Sequence, residues 1–180
     1  MEYDMKSTTR ILIVTAVTAL IATTPAVWAK SPKATAVLEA RSDSGAKGKV
    51  TFVQKDGKTH MTVEVEGLTP GSHAIHLHEK GDCSAPDAAS AGGHWNPSAE
   101  NHGQWGHDPF HHGDIGNLTA DAKGKATLTF ETNLWTIGDG KPSDVVGKSV
   151  IVHAKDDDFT TQPTGNAGGR VACGVIQTAK

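Results

Sequence analysis

The chain has 180 residues, enough for one domain with a core that folds alone. Aromatics make up only 5% of it, against 20 glycines and 8 prolines, a balance that suits an all-β protein with many turns. A formal net charge of −3 excludes a broad basic field for nucleic acid.

Residues 1–29 read as a cleaved secretory signal peptide. Lys6 and Arg10 open it, an apolar run follows from Ile11 to Ala26, and Val27-Trp28-Ala29 puts small residues at the −3 and −1 positions of a cut. The run is shorter than the ~20 residues of a membrane span, so no membrane attachment is expected after cleavage. Residues 30–180 are then the mature domain, exported, with a bacterial periplasm as the expected compartment.

In the mature domain, Ala34–Ala40 and Lys49–Gln54 read as strands around a turn at Ser42-Asp43-Ser44-Gly45, and Asp56-Gly57 is a hairpin signal. Thr59–Glu66 alternates, with Met61, Val63 and Val65 on one face and Thr62, Glu64 and Glu66 on the other. Further strands are expected at His73–Glu79, Leu118–Ala120, Ala126–Glu131, Ser149–Ala154 and Val171–Gln177, with Asn133–Lys148 ambiguous. The stretches Gly81–Gly113 and Asp156–Arg170 read as loops, and a loop as long as the first argues for function or a metal clip. About eight short strands with no long helix predict an antiparallel sandwich or barrel.

Cys83 and Cys173 are the two cysteines, and in an exported protein they most simply form one disulfide. The chemistry is carried by ten histidines. His76 and His78 lie two apart in a strand, so both rings leave one face while Ile75 and Leu77 turn to the core. His94, His102, His111 and Asp114 follow in the long loop, spaced 8, 9 and 3, a donor set suited to tetrahedral zinc. His112 competes with His111, and the spacing favours His111. His153 sits on the face of its strand away from Val150 and Val152, where a neighbouring strand could bring it to His76 and His78. With both cysteines used, thiolate sites are excluded; imidazole suits copper or zinc, and the residues alone do not choose between them.

These residues resemble the copper/zinc superoxide dismutase family. The likeness runs through Gly67-Leu68-Thr69-Pro70-Gly71, His76–Asp82, Gly92–Pro97, Asn101-His102-Gly103, His111–Asn117, Val152–Asp157 and Gly165–Ile176, in order and over nearly the whole mature chain. It implies an eight-stranded Greek-key barrel with immunoglobulin-like architecture and two long functional loops. It also implies one copper on His76, His78, His94 and His153 and one zinc on His94, His102, His111 and Asp114, with His94 bridging the two. Asp157, in the run Asp156-Asp157-Asp158, would orient a ligand histidine of each metal. Cys83–Cys173 would tie the long loop to the last strand, and Arg170 would guide the substrate anion.

The implied activity is dismutation of superoxide to oxygen and hydrogen peroxide through a copper redox cycle, with His94 catalytic beside Arg170. The rival reading is a periplasmic copper- and zinc-binding protein without catalysis; Arg170 argues against it, because storage needs no anion guide. Two departures from the family pattern stand out. Gln104–Phe110, with Trp105 and His107, matches poorly, and the loop between His153 and Arg170 is shorter than in the familiar eukaryotic enzymes. His73 and His60 read as structural and solvated strand residues, and Asn117-Leu118-Thr119 is a formal glycosylation sequon. Oligomeric state is left open, a homodimer being compatible with the chain.

Overall fold

The computed structural model describes Met1 and residues 31–179, so the expected signal peptide lies, but for its first residue, outside the described residues. Nine strands follow one another: β1 Lys33–Ala40, β2 Lys47–Lys55, β3 Lys58–Glu66, β4 Gly71–His78, β5 Asp114–Ala120, β6 Ala126–Thr132, β7 Ser149–His153, β8 Arg170–Val175 and the two-residue β9 Gln177–Thr178. Among the described residues no segment is α-helical; one 3-10 turn spans Ala89–Ala91.

The strands form from the local patterns in the sequence. In β3 the apolar side chains Met61, Val63 and Val65 are buried and Thr62, Glu64 and Glu66 are exposed, the period-two pattern of a half-buried strand. Asp56 and Gly57 both adopt positive φ, 52° and 76°, and close the β2–β3 hairpin in register with Lys55 opposite Lys58. All strand pairs are antiparallel, in the order β5-β4-β7-β8-β1-β2-β3-β6, with β9 beside β1. β5 and β6 at the two ends approach each other, so the sheet is a nearly closed eight-stranded barrel, as expected.

The interior is filled by one cluster, with Leu38, Phe52, Met61, Ile75, Leu77, Leu118, Val150 and Val152 all almost fully buried. Each such side chain contributes roughly 1.5–3 kcal/mol when taken out of water. β4 and β7 differ from β3 in being buried on both faces. Ile75, Leu77, Val150 and Val152 fill the interior, while the opposite faces of the two strands are covered by the long loops. Register sets His76 opposite Ile151 and His78 opposite Ser149, so the barrel itself carries the histidine-bearing face of β4 alongside that of β7.

Two features differ from the expectations, and a third, left ambiguous, is resolved. β5 begins at Asp114, not Leu118, and so includes a residue assigned to the loop. Gly116 and Asn117 hide this start, because neither favours a strand; Gly116 has φ 119°. The last strand is broken at Ile176, whose N–H bonds to Lys148 O, so β8 pairs with β7 and the end of β1, whereas β9 pairs with its beginning. The ambiguous segment 133–148 is an ordered loop. The Asp144 carboxylate accepts N–H bonds from Gly138, Gly140 and Val146, and the segment inserts Trp135, fully buried, against Phe52 and Phe130. Trp105, from the segment that matches the family poorly, packs on Trp135 at 5.7 Å, which accounts for it as part of the core wall.

Cys83 and Cys173 form a disulfide that closes a loop of 90 residues. On the chain-entropy account, replacing both cysteines by serine lowers unfolding free energy by about 4–5 kcal/mol. Chemical denaturation of wild-type and doubly substituted chains, both metal-free, reads this directly; a difference below about 1 kcal/mol contradicts that account.

Candidate metal centre

Six histidines and an aspartate reach one region from four parts of the barrel. His76 and His78 leave β4 on the face turned from the core, and His153 ends β7. Asp114 opens β5, and His94, His102 and His111 come from the long loop between β4 and β5. Two strand irregularities aim them. A register shift between Ile75 and His76 brings His76 opposite Asp114, and one between Val152 and His153 brings His153 opposite Arg170. Bulges re-aim a side chain without breaking the sheet.

The loop residue His94 is placed by strand-like contacts. Trp95 N–H donates to Leu77 O at 2.8 Å, Glu79 N–H to Gly93 O at 3.0 Å, and Leu77 N–H to Gly113 O at 2.9 Å. A Cβ on Gly113 would collide with Leu77 O, so this close approach requires glycine there.

The seven side chains form two sets of four that share His94. In the first, ligand-type nitrogens of His76, His78, His94 and His153 lie within 4.8 Å of one another, and in the second so do those of His94, His102 and His111 with an Asp114 oxygen. All seven residues are buried. In the first set the inward atoms, His76 Nδ1 and the Nε2 atoms of His78, His94 and His153, have no hydrogen-bond partner. Their other ring nitrogens are spoken for: His76 Nε2–H donates to Asp157 Oδ2 at 2.8 Å, His78 Nδ1–H to Gly92 O at 3.0 Å, and His153 Nδ1–H to Gly168 O at 3.3 Å. These acceptors fix the tautomers and turn bare lone pairs inward.

In the second set, His94 Nδ1 and His111 Nδ1 lie 3.4 Å apart, the edge length of a tetrahedron with metal bonds of about 2.0–2.1 Å. Asp114 Oδ1 lies 2.8, 3.0 and 3.1 Å from the Nδ1 atoms of His94, His102 and His111. The contact with His102 is out of line for a hydrogen bond, so His102 Nδ1 also stays unpartnered. Asp114 Oδ2 is held away by the N–H groups of Gly103 and His111. Four unpartnered nitrogens in one set and three imidazoles with a carboxylate in the other are donor sets fit for metal ions.

Protonation follows from burial and neighbours. Burial pushes His78 and His153 well below the usual histidine range, reinforced by the surrounding imidazoles, and lowers His94 to about 4 against the pull of Asp114. His102 goes the other way. Burial disfavours its charge, but the carboxylates of Asp114 and Asp157, one at each ring nitrogen, outweigh it and raise it to about 9. Those same contacts hold both carboxylates far below the ordinary range despite their burial.

Asp157 is the buried member of the acidic run; Asp156 and Asp158 are exposed, and Asp158 caps Thr160 and Thr161. It joins the two sets by accepting from His76 and from His102 Nε2–H at 2.9 Å. Gly165, at φ 67°, makes room for it, since a Cβ there would collide with Asp157 Oδ1. His111 belongs to the second set and His112 does not: the His112 ring packs on Trp95, and its carbonyl accepts from Trp135 Nε1–H. His73 is structural, one ring nitrogen on His153 O and the other on Thr69 O, and His60 lies half-buried beside Glu131.

Arg170 is half-buried at the start of β8, its guanidinium donating to Ala88 O and Gly92 O, both at 2.7 Å. Gly92 O is also the acceptor for His78, so one carbonyl joins the arginine to the first set. Two residues missed from the sequence complete the site. Asn117 exchanges two hydrogen bonds with the Asp157 backbone, at 2.7 and 3.0 Å, which commits the amide of the formal sequon. Gln162 does the same for the His102 backbone, at 2.8 and 2.9 Å. Neither pairing has a local signal, since the partners are 40 and 60 residues apart.

Comparison with known proteins gives a consistent result. The family model described as copper/zinc superoxide dismutase (SODC) matches residues 46–176. A "Superoxide dismutase [Cu-Zn]" of Caulobacter vibrioides is 44% identical over 149 residues, covering 80% of this chain and 85% of that protein. An "Extracellular superoxide dismutase [Cu-Zn]" of Drosophila melanogaster is 42% identical over 138 residues, covering 72% and 75%. The solved structure titled "Crystal Structure Analysis of the clock protein EA4" superposes with a TM-score of 0.74 at 36% identity, covering 83% of this chain and 96% of that one.

The raised pKa of His102 has a measurable consequence. In the metal-free protein His102 is protonated at pH 7, with its charge lost as pH rises through about 9. A divalent cation entering the second set displaces that proton, so uptake at pH 7 releases close to one proton per chain from His102, falling to about half at pH 9 and fading out above it. Calorimetry in buffers of different ionisation enthalpy counts the proton; release that does not decline with pH would contradict the assignment.

Proposed function

The chain belongs to the copper/zinc superoxide dismutase family, and from that premise we propose how its own residues carry out the dismutation of superoxide. Copper and zinc are its cofactors. The proposal assigns copper to His76, His78, His94 and His153, and zinc to His94, His102, His111 and Asp114. One observation carries it: two buried donor sets share the ring of His94, which turns an unpartnered Nε2 to the first set and Nδ1 to the second. A storage protein has no need to join two sites through one ring.

Bound copper supplies a one-electron redox couple, and bound zinc supplies a fixed positive charge. Two superoxide anions and two protons give one oxygen and one hydrogen peroxide. His94 Nε2 is the proton-handling atom. With Nδ1 committed to the second set, Nε2 takes up a proton in one half-cycle and delivers it to the departing peroxide in the other. His76, His78 and His153 keep their lone pairs inward because Asp157, Gly92 and Gly168 hold their other nitrogens. Asp157 is a positioning residue for one ring of each set, and Asn117 positions Asp157.

Arg170 orients the substrate. Its guanidinium stays charged although burial lowers its pKa, and it is held on two carbonyls at the edge of the first set. The chain is net negative, so attraction for a small anion must be local.

The proposed location is an exported compartment, the periplasm, reached through removal of residues 1–29, with no membrane attachment afterwards. The extracellular relative supports export. On this reading, chain recovered from the exporting cell has lost its first 29 residues, and intact-mass measurement checks that; a chain still starting at Met1 would rule it out.

The assignment of His94 is tested by His94→Ala. Positioned proton transfer is worth about a hundredfold or more in rate. The variant therefore loses at least about that factor in superoxide decay at pH 7, even where elemental analysis finds copper present. Unchanged turnover at full copper content would end the shared-ring reading.

A further inference from the structure

The turn between β1 and β2 touches both ends of the device that holds Arg170. Arg41 sends Nε and one terminal nitrogen to the same acceptor, Cys83 O, at 3.0 and 2.8 Å, and its other terminal nitrogen to Ala40 O at 2.7 Å. Ser42 N–H donates to Pro86 O at 2.9 Å. These contacts grip the segment Cys83–Gly92, whose carbonyls at Ala88 and Gly92 carry the Arg170 guanidinium. The same turn grips the backbone of Arg170 itself: Ser42 Oγ donates to Arg170 O at 2.9 Å, while Arg41 N–H and Ser44 Oγ both donate to Val171 O.

The side chain of Arg41 is only 15% exposed, so its fork on Cys83 is shielded, and a charge-assisted bond to a carbonyl is stronger than a neutral one. Ser42 and Asp43 hold positive φ of 53° and 56°, and so does Ala88, at 57°. Non-glycine residues persist there only where surrounding contacts over-determine the backbone. The disulfide ties the same two segments from the side chain of Cys83, while Arg41 ties them from its carbonyl.

We propose that the turn Arg41–Ser44 is a positioning clamp for the Arg170 guanidinium, with Arg41 and Ser42 as the positioning residues for anion capture. The clamp locks the carbonyl cradle and the arginine backbone to one rigid turn, so the guanidinium keeps a fixed direction towards the first donor set. Neither residue touches substrate; they act through Arg170. The inference rests on the reading of Arg170 as the anion guide.

The test is a double-substitution cycle on the metal-loaded protein with Arg41→Ala, Arg170→Ala and the pair. Three quantities are read for each: kcat/KM for superoxide, copper and zinc content, and the dissociation constant of azide as a probe anion. Local electrostatic guidance is worth about 10- to 1000-fold, and loosening the guide forfeits a part of it, so Arg41→Ala lowers kcat/KM about three- to tenfold. Azide binding weakens by a similar factor, and metal content is unchanged. Arg41→Lys, which offers one donor in place of the fork, falls between Arg41→Ala and wild type.

In the Arg170→Ala background, removing Arg41 has no further effect on either quantity, because the two act as one unit. Ser42→Ala, a deletion of one hydroxyl, shows the same pattern at smaller size and keeps the question open to decision if Arg41→Ala folds poorly. Additive losses, or a loss that merely follows metal content, would overturn the clamp. If Arg170→Ala itself leaves kcat/KM and azide affinity unchanged, the anion-guide reading fails first. If only Arg170→Ala matters, that reading stands and the clamp falls.

Discussion

Burying an imidazole nitrogen without a partner costs roughly 1–3 kcal/mol, and among the described residues six are so buried, five of them within the two donor sets, at His76, His78, His94, His102 and His153. That concentration of unpaired donors governs the rest of the structure. The cost is offset when metal ions take the lone pairs, and it is met only if the second nitrogen of each ring is held elsewhere. Asp157, Gly92 and Gly168 perform this task from three different stretches of chain. His94 is the exception, with both nitrogens turned to donor sets, and so it joins them.

The barrel supplies the rigidity such an arrangement needs. β4 and β7 are buried on both faces, with the apolar interior under one and the loops over the other, so the side chains between have little freedom. Register alone is insufficient. The shifts at Ile75/His76 and Val152/His153 turn two regular strands into ones that aim particular rings, and both shifts fall at proposed copper ligands. Local irregularity in an otherwise regular sheet is how a fold built for packing also carries chemistry.

Arg170, the proposed anion guide, is held by a separate set of contacts. Its cradle lies in a segment with no strand of its own, held from outside by the disulfide, by the β1–β2 turn and by the small buried patch of Ala88, Ala91 and Ile151 against Cys173. Gly92 O serves both Arg170 and His78, so whatever fixes the cradle also fixes one ring of the first set. On the proposed roles of Arg170 and His78, substrate guidance and ligand orientation are mechanically the same problem.

Much of this was legible in the chain. Alternation in Thr59–Glu66, the Asp56-Gly57 turn, the two-residue step from His76 to His78 and the 8-9-3 spacing to Asp114 are local patterns, and local patterns dictate strands, turns and donor types through short-range geometry. The tertiary structure decided what depends on partners distant in sequence. It chose His111 over His112 by seating His112 on Trp95, and it picked Asp157 out of three aspartates by burying that one between two rings. It also gave Asn117, Gln162 and Arg41 their work, for contacts 40, 60 and 42 residues away. A sequence states which groups are present; where a ring's second nitrogen finds its acceptor is settled only when the barrel closes, because that acceptor is often a backbone carbonyl with no identity of its own.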